Sequence, residues 1–118
     1  MTLPRIGITM GDPAGVGPEV VLKALKHLDV YALCQPLVIG DRAWLEKAGR
    51  IVGVSEDDDL PFECLDLGLV PGDLPFGRVS AKAGEAAYRY VERAVQLALK
   101  GEIDAICKIG RASCRERV

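Results

Sequence analysis

Short apolar runs alternate with longer segments of helical spacing along almost the whole chain, and this alternation constrains the fold more than any single motif. RIGITM, residues 5–10, sets Ile6, Ile8 and Met10 on one side of an extended run, which reads as a strand with one buried face. PEVVLKALKHL, residues 18–28, sets Val21, Ala24, Leu25 and Leu28 on one helical face. PLVIG, residues 36–40, is a short apolar run ending at a glycine and reads as a buried strand. Asp41 stands where it can cap the next helix, which carries Trp44, Leu45 and Ala48 and is expected to stop at Gly49. ECLDLGLV, residues 63–70, is a further strand candidate, and the Pro- and Gly-rich residues 71–84 read as a long loop. Residues 85–101 repeat Ala87, Val91, Ala94, Val95 and Ala98 at helical spacing, pair Glu85 with Arg89, and end at Gly101. IDAIC, residues 103–107, starts another strand. Parallel neighbours need a crossover connection, and a helix is the compact one. The alternation therefore specifies an α/β fold, a mostly parallel sheet flanked by helices.

The chain has 118 residues, 49% of them hydrophobic, enough for one buried core. A net charge of -2 argues against a nucleic-acid partner, which needs a basic field. No apolar run approaches the roughly 18 residues that a membrane span requires. No secretory apolar region follows the N-terminus, so the expected compartment is the cytoplasm. The cysteines, Cys34, Cys64, Cys107 and Cys114, form no CxxC pair. They read as reduced, mostly buried thiols rather than metal ligands. His27, the single histidine, falls late in the first helix beside Lys26, where positive charge suits the dipole. The acidic run SEDDD, residues 55–59, reads as solvated loop.

Between the first strand and the first helix lies GDPAGVGPE, residues 11–19. A glycine loop opening into a helix N-terminus can bind an anion. The spacing is neither G-x-x-x-x-G-K-[ST] nor G-x-G-x-x-G. The loop has no lysine, and Pro18 removes one amide donor. Pro18 suits the first helical turn, and Glu19 suits its positive end. Two readings stand: a phosphate-gripping loop, or a tight turn whose glycines permit close packing.

The stretch ITMGDPAGVGPEVVLKAL resembles the opening of the 4-hydroxythreonine-4-phosphate dehydrogenase (PdxA) family. The resemblance continues through PLVIGD and AGEAAYRYVERAVQLALKGEIDAI and covers nearly all of residues 4–107. The loop is also similar to the shorter G-D-G-x-G-P-E of the isocitrate and isopropylmalate dehydrogenases. The resemblance implies part of their shared fold, with the sheet truncated. It implies an NAD-linked oxidation of a small phosphorylated hydroxy acid, dependent on a divalent metal and followed by decarboxylation, in pyridoxal phosphate biosynthesis. It also implies a homodimer. Relatives close to this family oxidise phosphorylated four-carbon sugar acids, erythronate or threonate 4-phosphate. A phosphate-binding or acyl-transferring protein on a related fold is the alternative. The family's metal and substrate ligands lie further along the chain, so no catalytic or metal residue is assigned here, and His27 matches none. Asp12, Gly15 and Gly17 are assigned as cofactor-side loop residues. From Lys108 the sequence departs from the family, and IGRASCRERV, residues 109–118, reads like a translated sequencing adapter. Residues 1–107 are thus expected to be the N-terminal part of such a dehydrogenase, inactive by itself, and residues 108–118 a non-native tail.

Overall fold

The computed structural model describes residues 3–11, 17–53, 62–69 and 81–108. Its elements are β1 (Arg5–Thr9), α1 (Gly17–Leu25), α2 (Val30–Leu33), β2 (Gln35–Gly40), α3 (Arg42–Val52), β3 (Glu63–Asp66), α4 (Ala81–Leu99) and β4 (Ala105–Lys108). The strands form one parallel sheet in the order β3-β2-β1-β4. From β1 the chain steps outward to β2 and β3, then returns across the sheet to place β4 on the far side of β1. Right-handed crossovers put the helices of the outward steps on one face and the helix of the return step on the other. Accordingly α1 and α3 pack against each other, while α4 lies over β1, β2 and β4.

The central strand β2 is apolar and buried from Pro36 to Gly40 because both of its faces are covered there. Leu37, Val38 and Ile39 are all buried, and Met10, Val21, Leu25, Trp44 and Tyr90 complete the inner core. β4, at the edge, is exposed at every residue. At the opposite end of β1 from its glycine loop, the Arg5 guanidinium pairs with Glu63 on β3 at 2.7 Å and donates to the Glu102 carbonyl.

Several elements differ from the sequence reading. α1 ends at Leu25 and buries Pro18, Val21, Leu22 and Leu25, leaving Ala24 and Leu28 exposed. The Tyr31 hydroxyl donates to the Leu25 carbonyl at 2.7 Å, closing the helix end from α2. His27 therefore sits exposed in a turn beyond the helix. α3 runs through Gly49, which is buried in its packed face, and stops at Gly53. There φ is +82°, a left-handed conformation that favours glycine. β3 covers only Glu63–Asp66 of the expected run. α4 starts at Ala81, so the last residues of the expected loop are helical. Its buried stripe is Ala86, Tyr90, Ala94 and Leu97, so only Ala94 of the expected stripe is fully buried. The helix is apolar around a wide arc, and the sheet takes the part that contains Tyr90. Gly101 does end α4: its N–H donates to Ala98 and that of Glu102 to Leu97, the paired bonds of a glycine-closed helix. Cys34 and Cys64 are half-buried and Cys107 is exposed, so the thiols are less buried than expected. The acidic run 55–59, most of the loop 71–84, Cys114 and residues 109–118 lie outside the described residues.

Candidate functional site

Open parallel sheets bind ligands outside the carboxyl ends of their strands, at the point where strand order reverses. In the order β3-β2-β1-β4 that point lies between β1 and β4. The described rim comprises Thr9 closing β1, Met10 and Gly11 after it, Gly17 opening α1, and Gly40 and Asp41 closing β2; beside Thr9 lies the end of β4, where Lys108, the first residue of the expected tail, pairs with it. Of the sequence-assigned residues, Gly17 stands on this rim, while Asp12 and Gly15 lie outside the described residues.

Gly17 is a close-approach residue. A Cβ there would fall 2.0 Å from the Met10 carbonyl oxygen and 3.2 Å from its carbon. Backbone thus meets backbone where α1 starts. On the other side, a Cβ on Gly40 would fall 2.8 Å from both Cβ and Sδ of Met10. Met10, fully buried, is held between two glycines, and the start of α1 is fixed onto the end of β1. The hydroxyl of Thr9, also fully buried, has no hydrogen-bond partner among the described residues. Valine would fill the same space without an unpaired oxygen, which costs about 1–3 kcal/mol. The sequence reading did not single out Thr9, because nothing local marks a strand threonine as buried.

The ends of β2 and β3 exchange carboxylates. Asp41 occupies the position before α3, and its carbonyl accepts from Trp44 and Leu45. Its side chain does not cap the helix; Asp41 Oδ1 accepts from the Leu69 amide at 3.1 Å. Asp66, from β3, accepts from the Arg42 amide at 3.2 Å and so serves the α3 start instead. The same oxygen accepts from Gly68, and the Leu67 amide donates to the Gly40 carbonyl. In dinucleotide-binding folds an acid near the end of the second strand takes the ribose hydroxyls. Asp41 holds that place but is 1% exposed and serves the turn after β3. Its role here is structural. Asp41→Ala is expected to cost about 1–3 kcal/mol by leaving the Leu69 amide unpaired, and Asp41→Asn less, since its carbonyl still accepts. Urea unfolding midpoints of the two variants check the order.

Two further features stay outside the candidate site. Burial pushes the Cys64 thiol up to about 11, so it is a protonated, unreactive group at neutral pH. A cavity of about 250 Å³ opens near Arg5, Leu37, Glu63, Leu65, Arg93 and Leu97, toward the amino ends of β1 and β3. The Arg5–Glu63 pair neutralises much of its charge.

The comparisons with known proteins agree with one another. Residues 32–111 match the family model described as Pyridoxal phosphate biosynthetic protein PdxA. The chain is 53% identical over 117 residues to D-threonate 4-phosphate dehydrogenase of Cupriavidus necator, covering 89% of this chain and 35% of that protein. It is 43% identical to a putative D-threonate 4-phosphate dehydrogenase of Oceanobacillus iheyensis, covering 88% and 35%. Among solved structures it resembles a 4-hydroxythreonine-4-phosphate dehydrogenase from Burkholderia phymatum, with a TM-score of 0.84 and 54% identity over 92% of this chain and 36% of that one. A terephthalate 1,2-cis-dihydrodiol dehydrogenase from Burkholderia xenovorans is more distant, at a TM-score of 0.69 and 25% identity, over 88% and 33%. The chain spans about a third of the length of these relatives.

Proposed function

The chain belongs to the PdxA family, and from that premise we propose that the family-length protein carrying it is a dehydrogenase of a phosphorylated hydroxy acid. The observation that carries this reading is the 53% identity to a protein named D-threonate 4-phosphate dehydrogenase. It favours a phosphorylated four-carbon sugar acid as substrate. The second reading is 4-hydroxy-L-threonine 4-phosphate, oxidised and decarboxylated on the way to pyridoxal phosphate. The 54% identity to a solved structure of that name supports it.

The cofactors proposed with either substrate are NAD and a divalent metal, and the proposed assembly is a cytoplasmic homodimer. Among the described residues no helix is long and apolar enough to cross a membrane. When bound, the dinucleotide would take the hydride of the alcohol carbon and the metal would polarise its oxygen. Among the described residues no three His, Cys, Asp or Glu side chains converge as a metal site. The metal would therefore draw on residues outside the described set. Asp41 Oδ1 is engaged by the Leu69 amide. The described residues contribute the rim: Met10, Gly17 and Gly40 fix where the glycine loop leaves the sheet and where it enters α1.

NAD reduction by the family-length protein tests this proposal. Turnover is expected with D-threonate 4-phosphate, at a kcat/KM about tenfold or more above that for 4-hydroxy-L-threonine 4-phosphate. The 118-residue chain alone is expected to give none. Oxidation of neither substrate by the family-length protein would sink the reading. The gene's reading frame across the Lys108 codon decides whether residues 108–118 are a foreign tail.

A further inference from the structure

On the α4 side the sheet is wider than the helix that covers it. α4 lies over β1, β2 and β4, while β3 extends the sheet beyond β2. Side chains in register on paired parallel strands share a face. Leu37 pairs with Gly7 and with Glu63, so Arg5, Leu37, Glu63 and Leu65 stand on one face of the sheet. Arg93 and Leu97 of α4 border the same cavity, which identifies that face as the one α4 covers. The cavity of about 250 Å³ thus fills the step between α4 and β3, at the amino ends of the strands.

Its charges are unevenly matched. Arg5 and Glu63 satisfy each other at 2.7 Å. Arg5 also donates to the Glu102 carbonyl, and the Glu102 N–H donates to Leu97, so the backbone at Glu102 is fixed beside the cavity. Arg93, half-buried, donates from Nη1 to the neutral amide oxygen of Gln96 at 3.1 Å. A guanidinium has five donors, and most of them stay open here. Among the described residues no carboxylate pairs with Arg93 and no cation pairs with the exposed Glu102 side chain. The two line one cavity without meeting. The cavity therefore sums to no net charge, yet it keeps one cation and one anion open beside the apolar Leu37, Leu65 and Leu97.

We propose that this cavity binds a small zwitterion, an α-amino acid with a short aliphatic side chain. Its carboxylate would accept from the planar fork of Arg93, its ammonium would donate to the Glu102 carboxylate, and its side chain would lie on the three leucines. A phosphate ester would set its extra charge against Glu63 and Glu102, and a simple amine would leave Arg93 unanswered. The volume falls below that of sites for drug-sized ligands, which excludes a nucleotide. The cavity is separate from the candidate rim, because the five residues of β1 put about 13 Å between the two ends of the strand. The inference needs no particular substrate or dinucleotide, so it stands or falls apart from the proposed dehydrogenase activity.

Calorimetric titration of the family-length protein, without substrate or dinucleotide, tests it. The probes are leucine, isovalerate, which lacks the ammonium, and isoamyl alcohol, which lacks both charges. Leucine is expected to bind with a Kd of about 1 mM, isovalerate more weakly, and isoamyl alcohol not measurably. Arg93→Gln should weaken leucine about tenfold or more. Glu102→Gln should weaken leucine but not isovalerate. Both are surface substitutions and should leave Tm within about 2 °C. No heat of binding from leucine would overturn the proposal, as would leucine affinity unchanged in either variant. Isoamyl alcohol binding as tightly as leucine would overturn it too, since the charges would then select nothing.

Discussion

Gly17→Ala is expected to destabilise the chain by about 3 kcal/mol or more. Two opposing effects act at this position, and their sizes differ. Replacing glycine by alanine in a helix normally gains about 0.5–1 kcal/mol from propensity and reduced unfolded-state entropy. Here the added methyl would sit 2.0 Å from the carbonyl oxygen of Met10. Neither atom is the end of a flexible side chain, so relief requires the start of α1 to move off the end of β1. Met10 has little room to retreat, since its side chain lies where a Cβ on Gly40 would fall 2.8 Å from Cβ and Sδ. A total stability of about 5–15 kcal/mol would lose a large fraction. The urea midpoint should fall with an unchanged slope. The ligand-free chain must be used, because Gly17 was also assigned to the cofactor side, and lost cofactor affinity would mix with lost packing. A variant as stable as the parent, or more so, would mean that the contact does not constrain the rim.

What the sequence revealed and what it hid follow one physical division. The strands were readable because buried parallel strands are short apolar runs, as in PLVIG; IDAIC has the same pattern although β4 is an exposed edge. The order of strand and helix pointed to the class of fold, and the glycine loop with the later stretches PLVIGD and AGEAAYRYVERAVQLALKGEIDAI carried the family resemblance, which the match over residues 32–111 bears out. Features that depend on a distant partner were hidden. Asp41 has the chemistry and the place of a helix cap, but Asp66 reaches the α3 start first, and Asp41 turns to Leu69. That exchange joins residues more than twenty positions apart. Gly49 has the look of a helix stop because nothing local shows that it is buried, whereas Gly53 carries the positive φ. The stripe of α4 was misread because its apolar arc is wide enough for two stripes, and only the sheet shows which one it takes. The rim was half readable. Gly17 announces close approach, but its partner, the Met10 carbonyl, emerges only when β1 and α1 meet. Thr9 announces nothing.

Trp44→Ala is expected to cost about 3–5 kcal/mol, the usual range for removing a large aromatic from a core. Trp44 is fully buried on α3, the helix that packs against α1. The Lys47 ammonium lies 4.2 Å from the ring centroid, and such a contact contributes about 0.5–1 kcal/mol. Lys47→Ala should therefore be several-fold milder than Trp44→Ala, and Trp44→Phe, which keeps most of the volume, should fall between them. Trp44 is the chain's single tryptophan, so its removal abolishes the natural fluorescence probe. Far-ultraviolet circular dichroism must follow the urea transition instead. The variant also tests how the core reaches the rim. A cavity under α3 loosens the layer that holds α1, and α1 begins at Gly17. Once that layer is loose, α1 can shift to admit the methyl of Gly17→Ala at less cost. The double variant should then lose less than the sum of the two single losses. Strict additivity would mean that the contact between Gly17 and Met10 is set by β1 and the loop alone, with α3 taking no part.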